Sequence, residues 1–522
     1  MTLSVSLVLH PAGITVSASP GTPLRELLFA QGVEFPCGGH GYCRACRVRV
    51  VQGQLPETDL DRHRFSALEL EQGWRLACGH RILSPLVLEL AQWDTPVLTG
   101  HKAFSFSPRV GLGIAIDLGT TTLAAQLLCL QSGETLAVET ALNPQGTWGA
   151  DVMSRIHAAL YQGRAEALRH SIRVILDRMI RSLSASAGVA GKKESCIQIL
   201  LVGNTVMHHL FAGHDLKSLA AYPFESPCLG PVHWYAEELD WTGIPPQTPV
   251  CFLPCLGGFV GSDILAGIMA TEMHQSPELR VLVDLGTNGE MVVGNRDGIL
   301  CASTAAGPAF EGGRISCGMR AAMGAVDEIR LQGGKIYYHV IGGGAPRGLC
   351  GSGLVDAVAL GLDTQRILPS GRLADGSRDF LLEPPVSLTQ KDIRELQLAK
   401  AATAAGLQVL LKRVGRCVDA VPTVHLAGAF GNYINRRSAQ RIGLLPFAED
   451  QIEPAGNTAL LGAKRFLFSD NPENEWQKIT RITEHVPLAA DPAFQEIFTD
   501  QIPFPEGTSP ALLHSLSPNR SE

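Results

Sequence analysis

The chain has no surplus of positive charge and no polybasic run. Lys and Arg number 43 against 50 Asp and Glu, a formal net charge of −7. Nucleic acid and acidic lipid therefore find no electrostatic footprint. The opening MTLSVSLVLHPAG lacks a positive n-region, so no signal peptide is expected. The weakly charged stretch Leu118–Gln131 is rich in Thr and Gln and too short to span a bilayer. These absences read as a cytoplasmic chain with no membrane partner. Charged residues are only 18% and hydrophobic residues 45%, a composition that suits a well-cored protein and excludes a disordered one. Its 522 residues suggest about three to four domains.

Thirteen cysteines do not pair off, and without an export signal free thiols or metal and cluster ligands are expected instead of disulfides. Their distribution is uneven. PCGGHGYCRAC places Cys37, Cys43 and Cys46 with gaps of five and two residues, and Cys78 follows in RLACGH. An iron–sulfur cluster needs four thiolates converging on a small inorganic core. Gly38, Gly39 and Gly41 let the loop wrap tightly and leave N–H groups to meet cluster sulfurs. The competing reading is structural zinc. Zinc sites usually pair two short Cys-x2-Cys hooks, whereas here one hook and one outlier join a Gly-rich loop. His40 and His80 flank the cysteines, but four thiols make histidine ligation unnecessary, and both read as surface residues.

Residues 1–92 read as one small β-rich domain. SVSLVL and ITVSA flank a hairpin turn, CRVRVVQG alternates as a strand, and LVLEL is another. TPLRELLFAQG is a short helix with Thr22 at the N-cap, Pro23 at N1 and Gly32 at its end. This region resembles the [2Fe–2S] ferredoxins of β-grasp fold in strand, helix and cysteine order. The five-residue gap resembles the adrenodoxin and putidaredoxin group; plant-type ferredoxins have four. The resemblance implies a [2Fe–2S] cluster on Cys37, Cys43, Cys46 and Cys78.

Residues 93–110 carry no clear period and read as a linker. From 111 to 470 apolar strands alternate with helical patterns, which argues for α/β architecture. Two strands end alike: IAIDLGTTTLA from Ile114 and VLVDLGTNGEM from Val281. Each half also has a later strand running into glycine, ILLVGNTV and VHLAGAFGNYI. A duplicated, diverged domain is expected, with halves at 111–278 and 279–470. In the tail, 471–522, DPAFQEIFTDQI reads as one helix and the final dozen residues as disordered.

A strand that ends in Asp and turns through Gly-Thr offers three things. Its carboxylate can hold Mg²⁺. Its glycine lets backbone approach a phosphate. Its N–H groups and Thr hydroxyls can donate to phosphate oxygens. Two facing turns would grip a polyphosphate from both sides. The bland alternative is an ordinary strand turn, but two copies at the starts of two similar halves are more specific. The pattern resembles the ASKHA superfamily of acetate and sugar kinases, heat-shock chaperones and actin, of RNase H-like fold. That resemblance implies that Asp117, Gly119, Thr120, Thr121 and Thr122 form the first phosphate motif and Asp284, Gly286, Thr287, Asn288 and Gly289 the second. It also implies that Gly428, Ala429, Phe430 and Gly431 form the adenosine motif. LLVGNT and NTALLGAK occupy the two connecting motifs. ATP and Mg²⁺ are the implied ligands, with Asp117 and Asp284 central.

Other stretches are less specific. STAAGPAFEGGRISCGM reads as a loop lining the nucleotide or partner face, and Ser352 as the N-cap of a helix in GLCGSGLVDAV. Asp151 is read as a helix cap, Cys251 and Cys255 as buried thiols, and Met207–His209 as helix residues and not ligands.

A ferredoxin and an ATPase on one chain need a joint purpose. A [2Fe–2S] cluster carries one electron at about −400 mV, and pushing it further uphill costs tenfold in equilibrium per ~59 mV. Nucleotide-driven conformational change can offset that cost. The whole chain resembles the reductive activators of corrinoid proteins, and its AGPAFEGGRISCGM and LCGSGLVD stretches also look like those of that family. The resemblance implies ATP-dependent one-electron reduction of an inactive Co(II) corrinoid to Co(I) in a partner methyltransferase or corrinoid protein. It also implies a homodimer and a separate low-potential electron donor. Two other readings stand beside it. One is a small-molecule kinase with a regulatory ferredoxin, using Glu290 or Glu311 as base. The other is a non-catalytic redox-sensing nucleotide binder.

Overall fold

The computed structural model describes residues 4–10, 14–29, 31, 33, 46–90, 106–149, 151–187, 196–286, 288–319, 321, 324–333, 335–341, 343–383, 386–431 and 433–507. Most of the expected linker and the final residues 508–522 lie outside the described residues. The chain divides into two compact units. One comprises 1–275, 296–299 and 455–485; the other 276–295, 300–454 and 486–522.

The first unit opens with a five-stranded sheet ordered β2–β1–β5–β3–β4. Its strands are β1 (Val5–His10), β2 (Ile14–Ala18), β3 (Arg47–Gln52), β4 (Trp74–Leu76) and β5 (Leu86–Leu90). β1 pairs antiparallel with β2 and parallel with β5, the β-grasp arrangement. Leu7, Leu9, Val48, Leu86, Leu88 and Leu90 point inward and are buried, as a period of two requires. Helix α1 (Leu24–Phe29) starts one residue later than its sequence suggests. The Thr22 hydroxyl donates to Ser19 O and makes no cap, while Glu26 N bonds to Pro23 O. Pro23 itself bridges to Arg81, which holds it outside the helix. Helices α2 (Asp59–Arg64) and α3 (Ala67–Glu71) both begin in capping boxes.

A second sheet in this unit runs β10–β11–β9–β6–β7–β8. Its strands are β6 (Leu112–Leu118), β7 (Thr122–Cys129), β8 (Thr135–Leu142), β9 (Cys196–Val202), β10 (Val232–Tyr235) and β11 (Pro249–Phe252). β6 is apolar on both faces because it is central: β9 pairs with it in parallel and β7 antiparallel. Helix α4 (Val152–Tyr161) begins at Asp151, whose carboxylate accepts from Ser154 N at 2.8 Å. α5 (Ala165–Ser186) buries Leu168, Ile172, Leu176, Met179 and Leu183 along one stripe. α6 (Thr205–Ala212), α7 (Lys217–Ala220) and α8 (Ser262–Thr271) follow.

The second unit repeats the motif. In its main sheet β20 (Thr423–Ala427), β12 (Arg280–Leu285), β13 (Gly289–Asn295) and β14 (Gly298–Thr304) are consecutive. β12 pairs antiparallel with β13 and parallel with β20, as β6 does with β7 and β9. A small sheet of β15 (Ala325–Gln332), β16 (Lys335–Val340) and β17 (Gly348–Leu349) leads into α9 (Gly351–Asp363). The hairpin β18 (Asp379–Glu383) and β19 (Val386–Thr389) precedes α10 (Gln390–Arg413). α11 (Gly428–Gly431), α12 (Arg436–Arg441) and β21 (Ile452–Gly456) complete the sequence.

The chain then rejoins the first unit through α13 (Thr458–Phe468) and α14 (Pro472–Ile482). α13 packs on α8, and an Arg465–Glu272 pair at 2.7 Å joins them. Phe106 packs against Phe468 of α13 with ring centroids 4.7 Å apart and planes tilted by 56°. In the second unit the DPAFQEIFTD stretch forms α15 (Pro492–Asp500), capped by Asp491.

Candidate functional site

Of the four expected cluster ligands, Cys37 and Cys43 lie outside the described residues, as do Gly38, Gly39, His40 and Gly41. Cys46 and Cys78 are placed, and the sheet brings them together. β3 and β4 pair with Arg47 opposite Leu76, and Ala77 N donates to Cys46 O at 3.0 Å. Cys46 is buried at the start of β3, and Cys78 is half-buried in the turn Ala77–Gly79. Two thiols at one sheet end, with the other two cysteines a few residues before Cys46 in sequence, fit an iron–sulfur cluster. Among the described residues no group of three or more His, Cys, Asp or Glu could hold a metal.

His80 corrects the sequence reading. It is buried, not at the surface, with Nε2 2.8 Å from Asp61 Oδ2. Asp61 is fully buried and also accepts from Leu76 N, Thr58 N and Thr58 Oγ1 at 2.7–2.8 Å. Burial works to raise this carboxyl, but the bonds from His80, Leu76 and Thr58 outweigh it and hold it at about 2. The carboxylate thus ties α2 to β4 and to the turn carrying Cys78.

The first DLGT stretch ends β6 at Leu118 and turns into β7 at Thr122. A Cβ on Gly119 would sit 2.4 Å from Thr122 O, so only glycine fits the turn. Three asparagines surround it. Asn457 Nδ2 donates to Asp117 Oδ2 at 2.8 Å. Asn143 Nδ2 donates to Gly119 O at 2.9 Å. Asn204 Nδ2 donates to Thr120 Oγ1 at 2.8 Å. Beneath them the buried Arg155 guanidinium donates to Thr120 O at 2.6 Å, a permanent positive charge next to the turn. Burial pushes the Asp117 carboxyl up to about 6, and the Asn457 bond opposes it. Such a carboxyl is primed for a cation that would ionise it.

The second turn follows β12 as the first follows β6. Asp284 pairs across β13 with Glu290, and Gly286 N donates to Asn288 O at 3.0 Å. Thr287 lies outside the described residues. β20 runs beside β12 with Ala427 opposite Asp284, which delivers Gly428 to the strand end. Gly428 has φ +86°, and a Cβ there would lie 2.5 Å from Asp284 Oδ1. Phe430 stacks on Phe310 of the AGPAFEGG loop at 4.7 Å and 15°. The Gly428–Gly431 segment, the second Gly-Thr turn and that loop therefore converge, and Gly431 closes α11. The side chain of Ala429 is outside the described set. Thr304 Oγ1 donates to Gly289 O at 3.2 Å. Ser352 is not the cap of α9: Cys350 holds that place without a side-chain bond, and Ser352 lies in the first turn.

Elsewhere, Cys251 and Cys255 are buried thiols, both pushed by burial to about 12. His208 and His209 are buried in α6. Burial lowers them to about 3 and about 4.

Comparison with known proteins matches this layout. A family model for the 2Fe-2S iron-sulfur cluster binding domain matches residues 7–83. Models for the RACo middle region and for the C-terminal ASKHA domain of RACo match residues 112–276 and 278–512. The corrinoid activation enzyme RamQ of Eubacterium limosum is 36% identical over 438 residues, 77% of this chain and 72% of its own. The chain belongs to the family of corrinoid reductive activators. Another relative is the Co(II) methylated amine-specific corrinoid protein reductase of Methanosarcina barkeri, 26% identical over 428 residues, 75% of this chain and 77% of its own. A solved structure of a reductive activator for corrinoid, iron-sulfur protein superposes with a TM-score of 0.68 at 27% identity, over 96% of this chain and 98% of that one. As a family member the chain pairs a ferredoxin domain with an ASKHA region.

Sequence reasoning did not single out Asn143 or Arg155, and it reached Asn204 and Asn457 only as parts of the connecting stretches LLVGNT and NTALLGAK. One signal was available. Gly-Asn-Thr occurs at 203–205 and again at 456–458, each time between a strand and a helix.

Proposed function

We propose that the chain is an ATP-dependent reductive activase acting on the Co(II) corrinoid of a partner corrinoid protein or methyltransferase. The observation that carries this reading is the joining, on one chain of this family, of a thiol-bearing sheet end and two acidic Gly-Thr turns. Cys37, Cys43, Cys46 and Cys78 hold the cluster. Bound there, a [2Fe–2S] centre supplies one electron, which converts Co(II) to Co(I). Asp117 and Asp284 hold Mg²⁺, and the turns Gly119–Thr122 and Gly286–Gly289 meet the phosphates of ATP. Gly428, Ala429, Phe430 and Gly431 receive the nucleoside. Arg155 supports the anion from below. The protein works in the cytoplasm as a homodimer and is recharged by a low-potential donor.

Membership of this family favours electron transfer over the kinase and the sensor readings. The test is ATP turnover. Slow hydrolysis should rise when a Co(II) corrinoid protein is added, and Cys78→Ser should abolish that rise. A kinase would ignore the cysteine change and require a small-molecule acceptor.

A further inference from the structure

The three asparagines around the first turn share a property that their positions alone do not require. Each is an N-cap. Asn143 Oδ1 accepts from Gln145 N at 3.0 Å. Asn204 Oδ1 accepts from Met207 N at 3.0 Å. Asn457 Oδ1 accepts from Leu460 N at 2.8 Å. Each also spends its Nδ2 on a different residue of the turn: Gly119, Thr120 and Asp117 respectively.

Capping needs only an oxygen, and Ser, Thr or Asp supply it as well as Asn. Elsewhere in the chain Thr58, Asp151, Thr389 and Asp491 do so. Asn435 and Asn471 also cap helices, each with its Oδ1 accepting from backbone N–H of the first turn. An amide is the side chain that caps with one end and donates with the other. At the turn that double use occurs three times, from three segments that are far apart in sequence. Two of the three asparagines sit in the repeated Gly-Asn-Thr.

We propose that Asn143, Asn204 and Asn457 are positioning residues. They fix the turn from Asp117 to Thr120 in the shape that receives phosphate, and they join that shape to the starts of three helical segments. Asn457 orients the Asp117 carboxylate. Asn204 orients the Thr120 hydroxyl, leaving its proton directed away from the amide. Asn143 holds the Gly119 carbonyl back from the anion. This assignment rests on the turn being a Mg-ATP site.

The test separates the two ends of each amide. Asn143→Ser, Asn204→Ser and Asn457→Ser keep a capping oxygen but remove the donor to the turn. Asn471→Ser removes the same amide at a cap remote from the turn. Melting temperature and the affinity for a fluorescent ATP analogue with Mg²⁺ are measured on each full-length variant. The expected result is an affinity about tenfold or more weaker in the three turn variants, with melting close to wild type. Asn471→Ser should match wild type in both. If wild type binds the analogue and the three turn variants bind it equally well, the asparagines do not position the turn. If affinity falls only in step with melting temperature, the bonds serve the fold and the assignment is overturned. If wild type does not bind the analogue at all, the nucleotide reading fails and takes this one with it.

Discussion

Removing the Asp61 carboxylate should loosen the cysteine end of the ferredoxin sheet without touching any cysteine. The side chain is fully buried and accepts four hydrogen bonds. Asp61→Ala leaves His80 and Leu76 N buried without that partner. Leaving a buried hydrogen-bonding group without its partner costs about 1–3 kcal/mol, and more where the lost partner was charged. A separate route gives a similar size. The carboxyl is held at about 2 against an ordinary 3.8, and at about 1.4 kcal/mol per pH unit the ionised form contributes roughly 2–3 kcal/mol. Its sign is fixed. A lowered carboxyl stabilises the fold above its unfolded pKa, and the contribution is lost as pH falls toward about 2. At neutral pH it is fully present, so the variant pays the whole cost there. For a domain of this size, each kcal/mol moves melting by roughly 4–8 °C. The assay is bleaching of the cluster's visible absorption on heating, at one scan rate and neutral pH. The midpoint should fall by on the order of 10–20 °C, while ATP-analogue binding stays as in wild type. A midpoint within about 2 °C of wild type would refute the role given to the Asp61–His80 pair.

Gly428→Ala places a Cβ 2.5 Å from Asp284 Oδ1 at φ +86°, a conformation that costs about 1–2 kcal/mol for other residues. ATP-analogue affinity should drop severalfold with the visible spectrum unchanged; equal affinity removes Gly428 from the site. His208 and His209 stay neutral in the fold down to about 3 and about 4, while the unfolded chain takes up protons below about 6.5. Urea stability should therefore fall from pH 6.5 toward pH 4, by up to about 1.4 kcal/mol per unit for each histidine. His208→Gln should flatten that slope, and an unchanged slope would show that His208 titrates normally. Cys251 and Cys255, held near 12, should resist iodoacetamide at pH 8 until the protein is unfolded. Mass spectrometry of labelled peptides decides it.

The parts legible in sequence were contiguous ones. Asp-Leu-Gly-Thr announces itself because carboxylate, glycine and hydroxyl are neighbours on the chain. The cysteine spacing and the alternation in CRVRVVQG were readable for the same reason. The parts that stayed hidden are long-range bonds. Asn457 reaches Asp117 across 340 residues and Asn204 reaches Thr120 across 84, and no local period encodes either. His80 looked like a surface residue because its buried partner, Asp61, sits 19 residues earlier in a polar helix. Residue type and its immediate neighbours mark Thr22 and Ser352 as caps. A bridge at Pro23 and the start of α9 one residue beyond Cys350 decided otherwise. The return of 455–485 to the first unit has no composition signal at all.

The central claim is that ATP and the cluster act together on cobalt. The direct measurement is anaerobic: reduced protein, Mg-ATP and a Co(II) corrinoid protein are mixed and Co(I) absorbance is followed. The account predicts Co(I) with wild type and ATP. It predicts little without ATP, and none with Cys46→Ala. Co(I) forming equally well without ATP, or in the cysteine variant, would contradict it.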